Sequence, residues 1–95
     1  MPSYTAFVNV TDRDVQNVQE LASIWGEVRG EFAEHEAELV DSYAMLGSHD
    51  FLVIFEAPDR ESAFKSALTL RRHGLEAETM EIVDTDEFAR LVDEA

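Results

Sequence analysis

Apolar and polar positions alternate from Tyr4 to Val10 through β-favouring residues, and this period of two predicts a first strand. Thr11-Asp12-Arg13-Asp14 reads as a polar turn with helix N-cap chemistry. The period then changes. Val18, Leu21, Trp25, Val28 and Phe32 recur at alternating spacings of three and four, while Glu20, Glu27, Glu31 and Glu34 fall mostly outside that stripe. This predicts a long amphipathic helix with Trp25 in its core-facing stripe. Gly26 and Gly30 lie inside it, each costing about 1 kcal/mol relative to alanine, and either allow close packing or shorten the helix.

Two strand patterns follow, Glu38 to Leu46 and Asp50 to Ala57, separated by Gly47-Ser48-His49 as a hairpin. Phe51 to Phe55 is apolar at every position, so both faces of that strand should be covered. Pro58-Asp59 opens a second helix with apolar positions at Ala63, Phe64, Ala67, Leu68 and Leu70. Arg71-Arg72-His73 complements the dipole at its C-terminal end, and Gly74 fits the C′ position. Glu76 to Val83 alternates as a fourth strand. Asp84-Thr85-Asp86-Glu87 then supplies an acid-x-x-Glu cap ahead of a short helix bearing Phe88, Leu91 and Val92.

The order β-α-β-β-α-β plus a terminal helix predicts an α+β, ferredoxin-like arrangement, with residues 1–95 forming one domain. Two helices cover only one face of a four-stranded sheet. In a short chain the simplest cover for the other face is a second copy, giving a face-to-face dimeric α/β-barrel with a lumen where a small molecule fits.

Charge alters the expected surroundings more than the fold. Twenty-one acidic residues oppose seven basic ones, for a net charge of −14, and the acids are spread along the whole chain. Such dispersion fits a solvated coat better than one acidic interface. In molar salt the self-repulsion is screened within about 3 Å, so a halophile with a salt-in cytoplasm is the expected host. The same charge opposes nucleic-acid binding. No cysteine is present, which removes disulfides, thiolate metal sites and cysteine nucleophiles. No apolar run is long enough to cross a bilayer, and the N-terminus lacks a signal-peptide pattern; a cytoplasmic location is expected, without membrane partners.

The sharpest candidate chemistry is His49-Asp50, a histidine beside a carboxylate at the mouth of the sheet. The imidazole could serve as a general acid/base, or residues 47–50 could simply form a turn with Asp50 bonded to backbone amides. Glu56 shares a strand face with Asp50, Leu52 and Ile54; it is either a base among apolar neighbours or a solvated acid at a strand end. Asn9 and Tyr43 are candidate ligand-binding residues of the same lumen. Glu31 and His35, four apart, are half of a metal pair at most, so neither a metal nor a cofactor is expected. His73 reads as dipole complementation.

The segment Leu46 to Asp59, the opening Met1-Pro2-x-Tyr4 and the closing Thr79-x-Glu81…Phe88 together resemble the GYD domain family, small proteins grouped with the dimeric α/β-barrels. Gly47 and Asp50 match that family's turn, whereas His49 stands where it usually has tyrosine. The resemblance implies the ferredoxin-like fold and homodimerisation or higher homo-oligomers, in a haloarchaeal-type acidic member. The function expected is binding of a small organic ligand between two sheets. The alternatives are a cofactor-independent monooxygenase or isomerase, with His49 as acid/base and Asp50 and Glu56 beside it, and a structural or regulatory oligomerisation module.

Overall fold

The computed structural model describes residues 1–11 and 18–95. The expected turn at 12–14 lies outside the described residues, as does the side chain of Val18. Strands β1 (Ser3–Val10), β2 (Glu38–Ala44), β3 (Phe51–Glu56) and β4 (Leu75–Ile82) form one antiparallel sheet in the order β2-β3-β1-β4. Helix α1 (Val18–Glu34) and helix α2 (Arg60–Arg72) pack on one face, and α3 (Thr85–Glu94) follows β4. The α+β, ferredoxin-like order is as the periodicities predict.

Alternation along the strands sorts the sheet into two faces. Ala6, Val8, Leu39, Val53, Phe55 and Leu75 point toward the helices and are buried there with Val28 and Phe32. Phe55 anchors this core: it stacks on Tyr4 with ring centroids 5.2 Å apart and meets the edge of Phe32 at 5.1 Å. Trp25 lies at the core margin, partly buried and edge-on to Phe51 at 5.1 Å.

Helix α1 runs unbroken through Gly26 and Gly30. A Cβ at either glycine would meet nothing within 4 Å, so these glycines neither shorten the helix nor allow a close approach. Its C-terminus is a Schellman turn: the N–H of Ala37 bonds the carbonyl of Phe32, and that of Glu36 the carbonyl of Ala33. Glu36 occupies the left-handed position at φ 64°. A shift of register between Leu39 and Asp41 kinks β2, and the Arg29 guanidinium donates to the Leu39 carbonyl at 2.7 Å, tying α1 to the irregular strand.

Helix α2 begins as expected, with the Asp59 carboxylate accepting the Ser62 N–H at 2.8 Å, and ends with Gly74 at φ 75°. Its buried face includes Ala63 and Leu70, as expected, but not Phe64 or Leu68. Ala63, Ser66, Thr69 and Leu70 face the sheet, while Phe64 and Leu68 are 64% and 55% exposed. Arg60, Arg71 and Arg72 lie on the side of Phe64 and Leu68, so burying that stripe would desolvate guanidinium groups as well. The smaller stripe, with Thr69 satisfied by the Lys65 carbonyl at 3.0 Å, avoids this.

Strand β3 has one face within the protomer core and one outside it. Val53 and Phe55 are covered by the helices, but Leu52 and Ile54, on the other face, are only half-buried within the protomer. Ile54 borders a cleft of about 450 Å³ with Ser3, Ile82, Val83 and Glu87. Among the described residues, no helix is long and apolar enough to cross a membrane.

Candidate functional site

The open face is assembled by register. Pairing of β1 with β3 sets Thr5 opposite Ile54 and Phe7 opposite Leu52, and pairing of β1 with β4 sets Thr5 opposite Met80 and Ser3 opposite Ile82. The result is an apolar centre of Phe7, Leu52, Ile54, Met80 and Ile82. Polar groups lie at its two ends.

At one end the loop between β2 and β3 folds against the end of β1. The Asp50 carboxylate accepts the Val10 N–H at 2.9 Å, and the Asp50 N–H donates to the Val8 carbonyl at 2.9 Å. Asp50 therefore acts as the turn-forming acid. Its side chain is spent on the backbone and does not reach His49 as a catalytic partner. The turn instead delivers His49 onto Phe7, ring centroids 5.0 Å apart, and onto Asn9, whose amide lies 3.2 Å from His49 Nδ1. With the amide donating, Nδ1 is the acceptor and the neutral ring carries its proton on Nε2. This leaves a histidine oriented by a second side chain, with Nε2 free to donate to a ligand or exchange a proton with it.

At the other end, Glu56 stands opposite Ser3 on one side and Glu38 on the other. It is half-buried and shares the open face with Leu52 and Ile54. Since β3 rises about 3.4 Å per residue, Glu56 and the His49-Asp50 end are about 20 Å apart. One small substrate atom cannot be served by both within a protomer. Tyr43, opposite Leu52 on the edge strand β2, is 51% exposed.

The structure thus brings Asn9 and His49 together, places Tyr43 on the flank and separates Glu56 from them. Phe7, the platform beneath His49, and Glu38, the acid facing Glu56, were not among the expected site residues. Phe7 could have been found by alternation, because it stands two positions before Asn9 on the same strand face. The suggested Glu31–His35 pair is replaced by another: both Glu31 carboxylate oxygens lie 3.1 Å from Nε2 of His73, pinning α1 to the C-cap of α2.

Clefts also flank α2 on the helical side. One of about 450 Å³ is bordered by Tyr4, Arg60, Ala63, Phe64, Thr79 and Glu81, and another of about 450 Å³ by His35, Lys65, Leu68, Arg71 and Arg72. Neither touches the open face.

Among solved structures the chain is similar to the crystal structure of the Mycobacterium tuberculosis leucine response regulatory protein, LrpA, at 10% identity and a TM-score of 0.60. The match covers 87% of this chain and 51% of that one, so this chain spans about half the length of the structure it resembles. At this identity the likeness concerns the fold. No curated protein matches the sequence. The sequence profile of the GYD domain matches residues 4–92, nearly the whole length, and by that match the chain belongs to the GYD domain family.

Proposed function

We propose that residues 1–95 act as one homodimeric unit in which two open sheet faces close over a shared lumen that binds a small organic ligand. The observation that carries this reading is the uncovered apolar centre of Phe7, Leu52, Ile54, Met80 and Ile82, bordered by the Asn9–His49 pair at one end and Glu56 at the other. The dimensions of the protomer support it. Its radius of gyration is 14.4 Å, against about 12 Å for a compact chain of this length. Its accessible surface is 6488 Å², against about 5,500 Å² for a monomer of its mass.

The ligand has an apolar body, lying on Phe7 and Leu52, and one polar group that meets His49 Nε2. Asn9 and Tyr43 supply further polar contacts. A second reading, a cofactor-independent monooxygenase or isomerase, is favoured by the hydrogen bond that orients His49; that histidine would be the acid/base, with Asp50 holding the turn and Glu56 too distant to share its work. A regulatory module is compatible with the same fold. The dispersed acidic coat supports a cytoplasmic protein of a salt-adapted, haloarchaeal-type host, for which the melting temperature should rise steeply from low salt to molar potassium chloride.

The test is a thermal-shift screen of small organic acids, amides and aromatic compounds in high salt. A hit should stabilise the wild type, lose its effect in His49→Ala, and lose it again in Ile54→Lys, which places a charge in the lumen. A hit that stabilises all three proteins equally would remove this face from the binding site.

A further inference from the structure

On the helical side of the sheet, the cleft of about 450 Å³ beside the first turns of α2 brings together groups that the fold itself leaves unused. Arg60, Ala63, Phe64 and Ala67 recur at spacings of three and four, so they form one stripe along the helix, next to its buried face. Ala63 and Ala67 carry nothing beyond Cβ, and the sheet beside them is left open at Tyr4, Thr79 and Glu81. Register sets Tyr4 directly opposite Glu81, with Thr79 two positions before Glu81 on the same face of the edge strand β4. Phe64, largely exposed, completes the apolar wall.

Arg60 borders this cleft from the helix and Glu81 from the sheet, yet among the described residues neither is ion-paired, to the other or to any third group. Asp59, the other acid here, is committed to the Ser62 N–H at 2.8 Å. The Thr79 hydroxyl is buried and has no hydrogen-bond partner among the described residues. Thr79 itself borders the cleft, and rotation about its Cα–Cβ bond moves the hydroxyl among three staggered positions, so a ligand's polar group can recruit it. A simple anion would meet Arg60 but also the two acids, and a simple cation would meet the acids but also Arg60. A base on one wall and an acid on the other, with apolar surface between them, select opposite charges at the two ends of an apolar body.

We propose that this cleft binds a small organic zwitterion, its carboxylate toward Arg60, its ammonium toward Glu81 and its apolar body across Ala63, Ala67 and Phe64. The Thr79 hydroxyl bonds one of the polar ends. The site is separate from the lumen between sheets, because Thr79 and Glu81 alternate with Met80 and Ile82 and so stand on the opposite face of β4. It is complete within one protomer and needs no second copy.

The probe is para-(aminomethyl)benzoate, a rigid ring with one charge at each end; benzoate and benzylamine each carry one of the two charges. All three are titrated calorimetrically into the full chain, with its fold checked by circular dichroism. The zwitterion should bind about tenfold or more tightly than either single-charge compound. Arg60→Gln and Glu81→Gln, both at exposed positions, should each weaken it about tenfold. They should also change its selectivity in opposite senses: Arg60→Gln removes its advantage over benzylamine, and Glu81→Gln its advantage over benzoate. His49→Ala, on the other face of the sheet, should leave its affinity unchanged. The proposal would be overturned by no binding of the zwitterion, by equal affinity for the three compounds, or by unchanged affinity in Arg60→Gln and Glu81→Gln. Loss of binding in His49→Ala would overturn it as well, placing the probe in the lumen.

Discussion

The Asp50 carboxylate accepts the backbone N–H of Val10 at 2.9 Å across forty residues of sequence, and this bond holds the β2–β3 loop against the end of β1. His49 owes its place on Phe7 and Asn9 to that turn. Asp50→Ala leaves the Val10 N–H to solvent and should cost about 1 kcal/mol of stability. Ligand binding that depends on His49 should weaken along with it. Asp50→Asn, which keeps an acceptor oxygen, should retain most of both. Denaturant unfolding and ligand titration of the two variants check this.

Gly26 and Gly30 are exposed helix-interior positions with open space where a methyl group would go. Replacing either by alanine should stabilise the protein by about 1 kcal/mol, from helix propensity alone. For a domain of this size that corresponds to a rise of roughly 4–8 °C in Tm. The two substitutions should add, because the sites share no partner. Thermal unfolding of both single variants and the double variant provides the measurement.

Glu36 holds the left-handed C′ position of α1 at φ 64°, a conformation that glycine adopts without a Cβ penalty. Glu36→Gly should therefore stabilise the fold by about 0.5–1 kcal/mol, whereas Glu36→Val, β-branched, should destabilise it. Thermal unfolding in high salt, where loss of one negative charge counts for little, isolates the backbone effect.

The Asp59 carboxyl titrates below the ordinary carboxylate range, first because the Ser62 backbone N–H bonds its charged form and then through the Ser62 side chain. Its folded-state value lies below its unfolded value. The stabilisation is thus fully present above the unfolded value and is lost as pH falls through the folded one. Asp59→Asn caps α2 without titrating, so it should flatten this part of the acid limb and leave neutral stability little changed. Asp59→Ala should lower Tm at neutral pH. Comparing the three proteins from pH 7 downward checks the sign.

Much of this fold was legible from periodicity and caps. The strand alternation around Ala6 and Val8, the capping acids Asp59 and Asp84, and Gly74 at a helix end are local signals, and each element formed where they pointed. The buried face of α2 was legible only in part, because two stripes compete at helical spacing. The choice went against the larger side chains since Arg60, Arg71 and Arg72 share their side of the helix. The β2 irregularity at Leu39–Asp41 leaves no pattern that a period of two would reveal. Of the candidate site, face membership was readable for Asn9 and Glu56. The Asn9–His49 contact and the separation of Glu56 from it depend on register between distant strands, which no local pattern encodes.

The central claim is that the open sheet face is closed by a second copy, and solution mass by light scattering tests it most directly. In about 2 M potassium chloride, where charge repulsion is screened to a few ångströms, the wild type should weigh at least twice 10.7 kDa. Ile54→Lys should have a lower mass with unchanged secondary structure by circular dichroism. A wild-type protein that remains at 10.7 kDa in high salt, or an Ile54→Lys variant with the wild-type mass, would contradict the claim.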